Sequence, residues 1–225
     1  MKIHRFDPTA GRYHFELEGI ETTVHAHPAA ELILARAGTF ALRANAEVHT
    51  GLTYALLPPG NAHQVTASGG GSFKLFLLEI FPAQATRFSL VFGNDSSKIP
   101  HLQKQFHATT AIALPDARLN DLLEFLKSAD YETPPDLNQL AARVHLSPSR
   151  LSHLFRAQTD IPLQHYLLWC RLRATVAHYL ADPTSLRDAA HRNGFHDSAH
   201  LNRTFRKFFG VAPSFAYNSR NVQLG

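Results

Sequence analysis

His25, His27, Glu31 and His63 are the residues of this sequence best suited to chemistry. In an extended chain His25 and His27 stand two apart and point to one face, and Glu31 and His63 would join them from neighbouring strands. Three imidazoles and one carboxylate suit a divalent first-row metal such as Zn, Fe, Mn, Ni or Cu. Soft thiolate ligands are not on offer, because Cys170 is the one cysteine. The same four side chains would also line a polar pocket for an organic effector without metal, and the residues leave both readings open. His4, His14, His101 and His178 are scattered and read as surface residues.

A second chemistry is electrostatic. Residues 1–136 hold 11 basic and 14 acidic side chains, whereas residues 137–225 hold 11 basic and 4 acidic ones. Ten of those latter 11 are Arg, whose planar fork matches phosphates and guanine edges. The same stretch repeats itself. Ala141 matches Ala190 at an offset of 49, and Leu151, Phe155 and Arg156 match Leu201, Phe205 and Arg206 at an offset of 50. Each unit reads as a short helix, a tight turn and a second helix with apolar residues four apart, which is a helix-turn-helix. The small Ala lets the helices approach. Gly194 supplies a turn residue with positive φ, and His145, near the first turn, is of a type that tolerates it. A plain helical-hairpin repeat would space its apolar residues similarly, but such arrays need at least three copies.

Leu140-Ala141-Ala142 with Leu146-Ser147-Pro148-Ser149-Arg150-Leu151-Ser152-His153-Leu154-Phe155-Arg156 resembles the first helix-turn-helix of the AraC/XylS transcription regulators. Gly194-Phe195-His196-Asp197-Ser198-Ala199-His200-Leu201-Asn202-Arg203-Thr204-Phe205-Arg206-Lys207-Phe208-Phe209-Gly210-Val211-Ala212-Pro213 resembles the second, which is that family's most specific stretch. The likeness covers about residues 116–220. Asp160 departs from the Gly often found after the first recognition helix, and Phe215-Ala216-Tyr217-Asn218 is a loose version of the usual ending. The resemblance implies that a long central helix, Leu163–Ala181, spaces the units about one DNA turn, or about 34 Å, apart. Both recognition helices would then enter successive major grooves of double-stranded DNA. With Leu151, Leu154 and Phe155 in the core, Ser149, Arg150, Ser152 and His153 face out, and Arg156 suits a phosphate. With Leu201, Phe205 and Phe208 in the core, Ser198, Ala199, His200 and Arg203 project outward. Arg203 is the leading candidate for a bidentate guanine contact, and Arg206 and Lys207 for phosphates. A homodimer and contact with RNA polymerase are further partners the family implies.

These groups need elements to hold them. Residues 13–93 read as many short strands, among them Glu31–Ala35, Tyr54–Leu57 and Lys74–Phe81, with Ser68–Ser72 as a loop. That spacing argues a barrel or double-sheet sandwich. Gly19-x5-His25-x-His27-x3-Glu31-x6-Gly38, followed by Pro58-x-Gly60-x2-His63, resembles the two cupin motifs. The second motif departs, because the Gly51-to-Pro58 spacing is one residue long and Ala67 replaces its final Asn. The barrel interior would take a small-molecule or metal effector, with Leu32, Leu34, Phe40, Leu42, Tyr54 and Leu56 as candidate wall residues.

Lys98–His107 reads as a short helix and Ala111–Leu114 as a last strand. Helices follow after an Asp116 cap, with Leu119, Leu122, Leu123 and Leu126 as the buried stripe, after Asp136 with a capping box to Gln139, and after Ser147-Pro148. Ser185–Arg192, Asp197–Phe209 and Pro213–Ser219 complete the helical part.

The expected architecture is thus a two-domain α+β chain: a cupin-like β-barrel (double-stranded β-helix) over 1–93, a linker and dimerisation segment over 94–115, and an all-α double helix-turn-helix domain over 116–225. A length of 225 residues, 44% apolar and 18% charged, is globular rather than disordered. A single cysteine, a start without an apolar signal core and the lack of any 18-residue apolar run point to the cytoplasm and away from membranes. Phosphate-loop and Gly-x-Ser-x-Gly signatures are absent. The expected activity is sequence-specific DNA binding modulated by an effector, with no catalysis and no required cofactor. The rival is a metal-dependent cupin enzyme, of dioxygenase or isomerase type, with accessory helices.

Overall fold

The computed structural model describes residues 2–19, 21–67, 71–81, 89–111, 113–129, 131–182, 185–213 and 223–224. The N-terminal half is built of two sheets. The larger orders its strands β10-β1-β2-β8-β3-β6-β9, and the smaller β5-β4-β7. The strands are β1 Lys2–Asp7, β2 Arg12–Glu18, β3 Ala30–Ala37, β4 Phe40–Ala44, β5 Glu47–Leu52, β6 Tyr54–Leu57, β7 His63–Ala67, β8 Ser72–Leu78, β9 Val91–Gly93 and β10 Gln223–Leu224. The β region thus begins ahead of residue 13, at β1, where a bulge between Ile3 and Arg5 breaks the period of two and turns Ile3 and Phe6, three apart, both inward. The two sheets face each other as an open pair rather than a closed barrel. Single bridges, Glu21 to Thr66 and His25 to His63, extend the smaller sheet with the segment after β2.

Strand alternation divides the larger sheet. Phe15 pairs with Leu75 and Leu17 with Phe73, all turned inward, while His14 pairs with Phe76 and Glu16 with Lys74 on the outside. The outer face is not left to water. The helix α1, Ile99–Ala108, lies over Leu32, Leu34, Tyr54, Leu56 and Phe76, with Ile99, Leu102 and Phe106 facing them. This corrects four of the six expected wall residues. Leu32, Leu34, Tyr54 and Leu56 belong to the outer cluster, and only Phe40 and Leu42 join the inner core. A strand covered on both faces is apolar at every position, so its sequence carries no inside-outside signal.

The short helix expected at 98–107 is α1, preceded by a 3-10 turn at Ser96–Lys98. The strand expected at 111–114 is absent among the described residues there. Instead the Leu114 amide donates to Asn120 Oδ1 and the Asn120 side chain donates back to the Leu114 carbonyl.

The helical half follows its local signals. Asp116 caps α2, Ala117–Ser128, whose Leu119, Leu122, Leu123 and Leu126 are buried. Asp136 and Gln139 form the capping box of α3, Leu137–Arg143. Ser147 caps α4, Pro148–Thr159, with Pro148 in the first turn. Next come α5, Leu163–Ala181, α6, Leu186–Arg192, and α7, Ser198–Phe209, the last two capped by Ser185 and Asp197. Helix α5 is about 28 Å long at 1.5 Å per residue and is buried on most sides. Of the loop expected at 68–72 only Gly71 and Ser72 are described, and of the helix expected at 213–219 only Pro213, while the ending at 215–218 lies outside the described residues.

One buried cluster joins the halves. Arg173 on α5 forms an ion pair with Glu79, 2.8 Å apart and with side chains only 4% and 8% exposed. Trp169 Nε1 donates to Glu79 Oε1 at 3.0 Å, the Tyr13 hydroxyl donates to the same oxygen, and Arg173 also donates to the Pro8 carbonyl. Burial works against the charge on Arg173, yet the Cys170 thiol and Glu79 hold its pKa well above the usual value. Cys170 itself is buried against Arg173, and burial pushes its thiol up, which fits a packed core sulfur.

Candidate functional site

The four candidate ligands come together. His25, His27, Glu31 and His63 are all buried, and one ligand atom from each lies within 4.8 Å of the others. Their placement differs from the expected shared strand. Glu31 is on β3 and His63 opens β7, but His25 and His27 sit on the irregular segment between β2 and β3, where His25 makes a single bridge to His63. The convergence therefore comes from a loop folded across the smaller sheet, not from strand alternation.

Backbone carbonyls fix the ring orientations. Nδ1 of His25 lies 2.9 Å from the Thr23 carbonyl, Nδ1 of His27 lies 3.0 Å from that of Ala29, and Nδ1 of His63 lies 2.9 Å from that of Asn61. A carbonyl only accepts, so each Nδ1 carries the proton and each Nε2 presents a lone pair. Nε2 of His63 then faces Glu31 Oε2 at 2.8 Å and Nε2 of His27 faces it at 3.4 Å, acceptor against acceptor. Glu31 Oε2 and the Nε2 atoms of His27 and His63 are buried without a hydrogen-bond partner. Only a cation between them resolves that arrangement, either a proton on His63 or a metal ion. Backbone-oriented Nδ1–H groups behind converging Nε2 atoms are the outer-shell pattern of metal-binding histidines. The four residues therefore fit a divalent first-row ion.

Burial, and then the charges at His63 and His27, push His25 down to about 3, so it stays neutral. Burial alone would raise the Glu31 carboxyl, but His63 and His27 outweigh it and hold that carboxyl well below the usual range. Burial opposes protonation of His63, whereas Glu31 raises its pKa.

Free space beside these ligands is about 10 Å³, the scale of one water or one ion. Phe15, Leu17, Phe73 and Leu75 line it from the sheet. Phe209 and Val211, from the end of α7 and just beyond it, line it as well, with Phe209 edge-on to Phe15. No sequence signal pointed to this plug, nor to Thr23, whose amide and hydroxyl both donate to the Gly210 carbonyl at 2.8 and 3.1 Å.

The two helix-turn-helix units superimpose in their hydrogen bonds. Leu146 N donates to Ala141 O at 2.9 Å, and Phe195 N donates to Ala190 O at 3.0 Å. His145 and Gly194 take the left-handed turn position, at φ 54° and 75°. Ala141, Leu151 and Phe155 are buried, as are Ala190, Leu201 and Phe205.

On α4, Ser149, Arg150, His153 and Arg156 are exposed. Ser152 is half-buried, its hydroxyl donating to the Pro148 carbonyl, and Leu154 is half-buried against the core. On α7, Ser198, Ala199, Arg203, Arg206 and Lys207 are exposed, with Asn202 beside them. His200 is half-buried with its ring edge-on to Phe195, 5.0 Å away, and burial and then Arg203 lower its pKa. Among the described residues no helix is long and apolar enough to cross a membrane.

A family model described as a helix-turn-helix domain matches residues 140–217. The chain is 36% identical over 102 residues to the arabinose operon regulatory protein of Salmonella typhimurium, covering 44% of this chain and 35% of that one. It is 31% identical over 118 residues to the HTH-type transcriptional activator RhaR of Pectobacterium atrosepticum, covering 52% and 41%. The match thus spans less than half the length of these relatives. Among solved structures, ToxT of Vibrio cholerae superimposes with a TM-score of 0.62 over 93% of this chain and 98% of that one, at 10% identity. That likeness shows a shared two-domain fold, a β-rich N-terminal part joined to a helical helix-turn-helix part. The matched relatives are named as regulators of transcription. By its duplicated helix-turn-helix units and these matches, residues 140–217 form a helix-turn-helix domain similar to that of these regulators of transcription.

Proposed function

We propose that this chain is a sequence-specific DNA-binding regulator of transcription whose N-terminal half holds a divalent first-row metal ion as effector. The observation that carries DNA binding is the duplicated unit. Two recognition helices share one geometry, are joined by a buried 19-residue strut, and expose Arg150, Arg156, Arg203, Arg206 and Lys207. A strut of that length suits two successive major grooves on one face of a duplex. Arg150, His153 and Arg203 read base edges, supported by Ser149, Ser152, Ser198, Ala199 and His200, while Arg156, Arg206 and Lys207 hold phosphates.

The metal reading rests on the three backbone-tethered imidazoles that aim Nε2 at Glu31. The interior also favours an ion over an organic molecule. A solved ToxT structure is described as bound to an unsaturated fatty acid. Here Phe209 and Val211 leave about 10 Å³ beside the ligands. The ion, when bound, supplies positive charge at the point where lone pairs converge.

The test is selection of bound fragments from genomic DNA at low ionic strength, with the purified chain chelated and then loaded with Zn²⁺, Mn²⁺ or Fe²⁺. Enrichment of a two-part site about one helical turn apart, with metal-dependent affinity, is the expected result. Failure to bind any duplex under every condition overturns the proposal.

A further inference from the structure

We propose that occupancy of the His25, His27, Glu31 and His63 centre is coupled to docking of the second recognition helix, through a latch made by residues 22–26 and the end of α7. The inference rests on the metal reading above and names how that site is regulated and what it regulates.

The latch has two parts. The first is a backbone clasp. Thr23 donates twice to the Gly210 carbonyl, and the Ala26 amide approaches the Lys207 carbonyl at 3.5 Å. Gly210 is left-handed at φ 69°, and a Cβ there would lie 2.6 Å from His25 Nδ1, 2.6 Å from the Thr23 carbonyl and 2.7 Å from Thr22 Cβ. His25 Nδ1–H in turn donates to that same Thr23 carbonyl. The ring that offers Nε2 to the metal and the peptide that grips Gly210 are therefore one unit. The second part is a plug. Phe209 lines the cavity with His25, His27 and Glu31, stands edge-on to Phe15 at 5.7 Å, and lies 5.5 Å from Trp169. Trp169 is itself 6.4 Å from the His27 ring.

The first unit is held elsewhere. Phe81, beyond β8, packs on Phe155 at 5.9 Å and Tyr166 at 5.4 Å. The sheets thus grip both units at separate points. Releasing the latch would free the end of α7 from the sheets while the second unit keeps its packing on α5, through Phe208 against Trp169 and His165, and Arg203, Arg206 and Lys207 are exposed in the latched state. Fixing His25 through Nε2 favours the latched state, and by reciprocity the latched state must favour the ion.

Trp169 is the sole tryptophan and reports on this junction. The experiment titrates Co²⁺, an open-shell quencher, into full-length chelated protein and follows Trp169 emission. The wild type, Phe209→Leu and Thr23→Ala are compared, with circular dichroism and Tm confirming that each is folded. The expected result is quenching of the wild type, about 5-fold or more weaker Co²⁺ affinity in Phe209→Leu, and about 2-fold or more weaker affinity in Thr23→Ala. Thr23 is exposed, so its variant keeps the test alive if Phe209→Leu does not fold. Equal Co²⁺ affinity in the wild type and a folded variant overturns the latch and leaves the metal reading standing. No Co²⁺ binding by the wild type overturns both.

Discussion

Asp160 and Gly210 end the two recognition helices in the same left-handed conformation, at φ 58° and 69°, and each donates its amide to the carbonyl of an arginine four residues earlier, Arg156 or Arg206. Their surroundings differ. Asp160 is exposed, whereas Gly210 is pressed against Thr22, Thr23 and His25. Alanine meets the same backbone strain at both positions, roughly 1–2 kcal/mol relative to glycine. Asp160→Ala should therefore cost about 1 kcal/mol or less, since aspartate already carries part of that strain. Gly210→Ala should cost more than about 2 kcal/mol, because the neighbours must also move. Urea unfolding of the two variants measures the difference, and equal midpoints would mean that the clasp contributes nothing.

The buried pair between Glu79 and Arg173 ties α5 to the sheets. Removing one partner strands a charge, so Arg173→Met should destabilise the chain by about 3–5 kcal/mol. Adding Glu79→Gln should recover part of that loss, because the stranded carboxylate is then neutral. A single variant as stable as the wild type in urea would show that the pair is dispensable.

Metal removal has a thermal signature. An ion at 100 times its Kd stabilises the folded state by about 2.7 kcal/mol. Protein purified without a histidine tag should carry one equivalent of a first-row metal by elemental analysis, and chelation should lower its Tm. His63→Ala and Glu31→Gln should abolish both effects. A metal content near zero for the wild type after reloading counts against the centre.

His14 provides an acid sensitivity away from the metal centre. Burial, then His4 and Lys74, push its pKa down to about 4, and its Nε2 is buried without a partner. The folded value lies below the 6.5 of a free imidazole, so the fold favours the neutral ring. Its contribution is present above pH 6.5 and is lost as the pH falls towards 4. His14 stacks on Phe76 at 4.3 Å, so His14→Phe keeps the stack and removes the titration. The variant should show a shallower fall in Tm between pH 6.5 and 4. Parallel curves would place the acid sensitivity elsewhere.

The reading face can be divided by chemistry. Arg203→Ala should lose about 1–3 kcal/mol of discrimination at one base position. Lys207→Ala should weaken binding to all sequences alike and reduce the salt slope by about 1. Fluorescence anisotropy on selected and random duplexes separates the two. Equal losses on both duplexes for both variants would refute the division.

Short-range signals in the sequence decided most of the helical half. The Asp116, Asp136 and Ser147 caps, the leucine stripe of α2, and the turn residues His145 and Gly194 each act within a few positions, where geometry is set by a handful of neighbours. His25, His27 and Glu31 stand within seven positions and were legible in the same way, whereas His63 was joined to them by its resemblance to the second cupin motif. Tertiary structure alone decided the rest. Leu32 and Ile33 are equally apolar, and only the placement of α1 sends Leu32 outward and Ile33 inward. The proton on each imidazole Nδ1 follows from carbonyls whose positions depend on how the loop folds. Thr23 meets Gly210 across 187 residues, and Arg173 meets Glu79 across 94. Contacts of that separation depend on the packing of whole layers, which no local periodicity encodes.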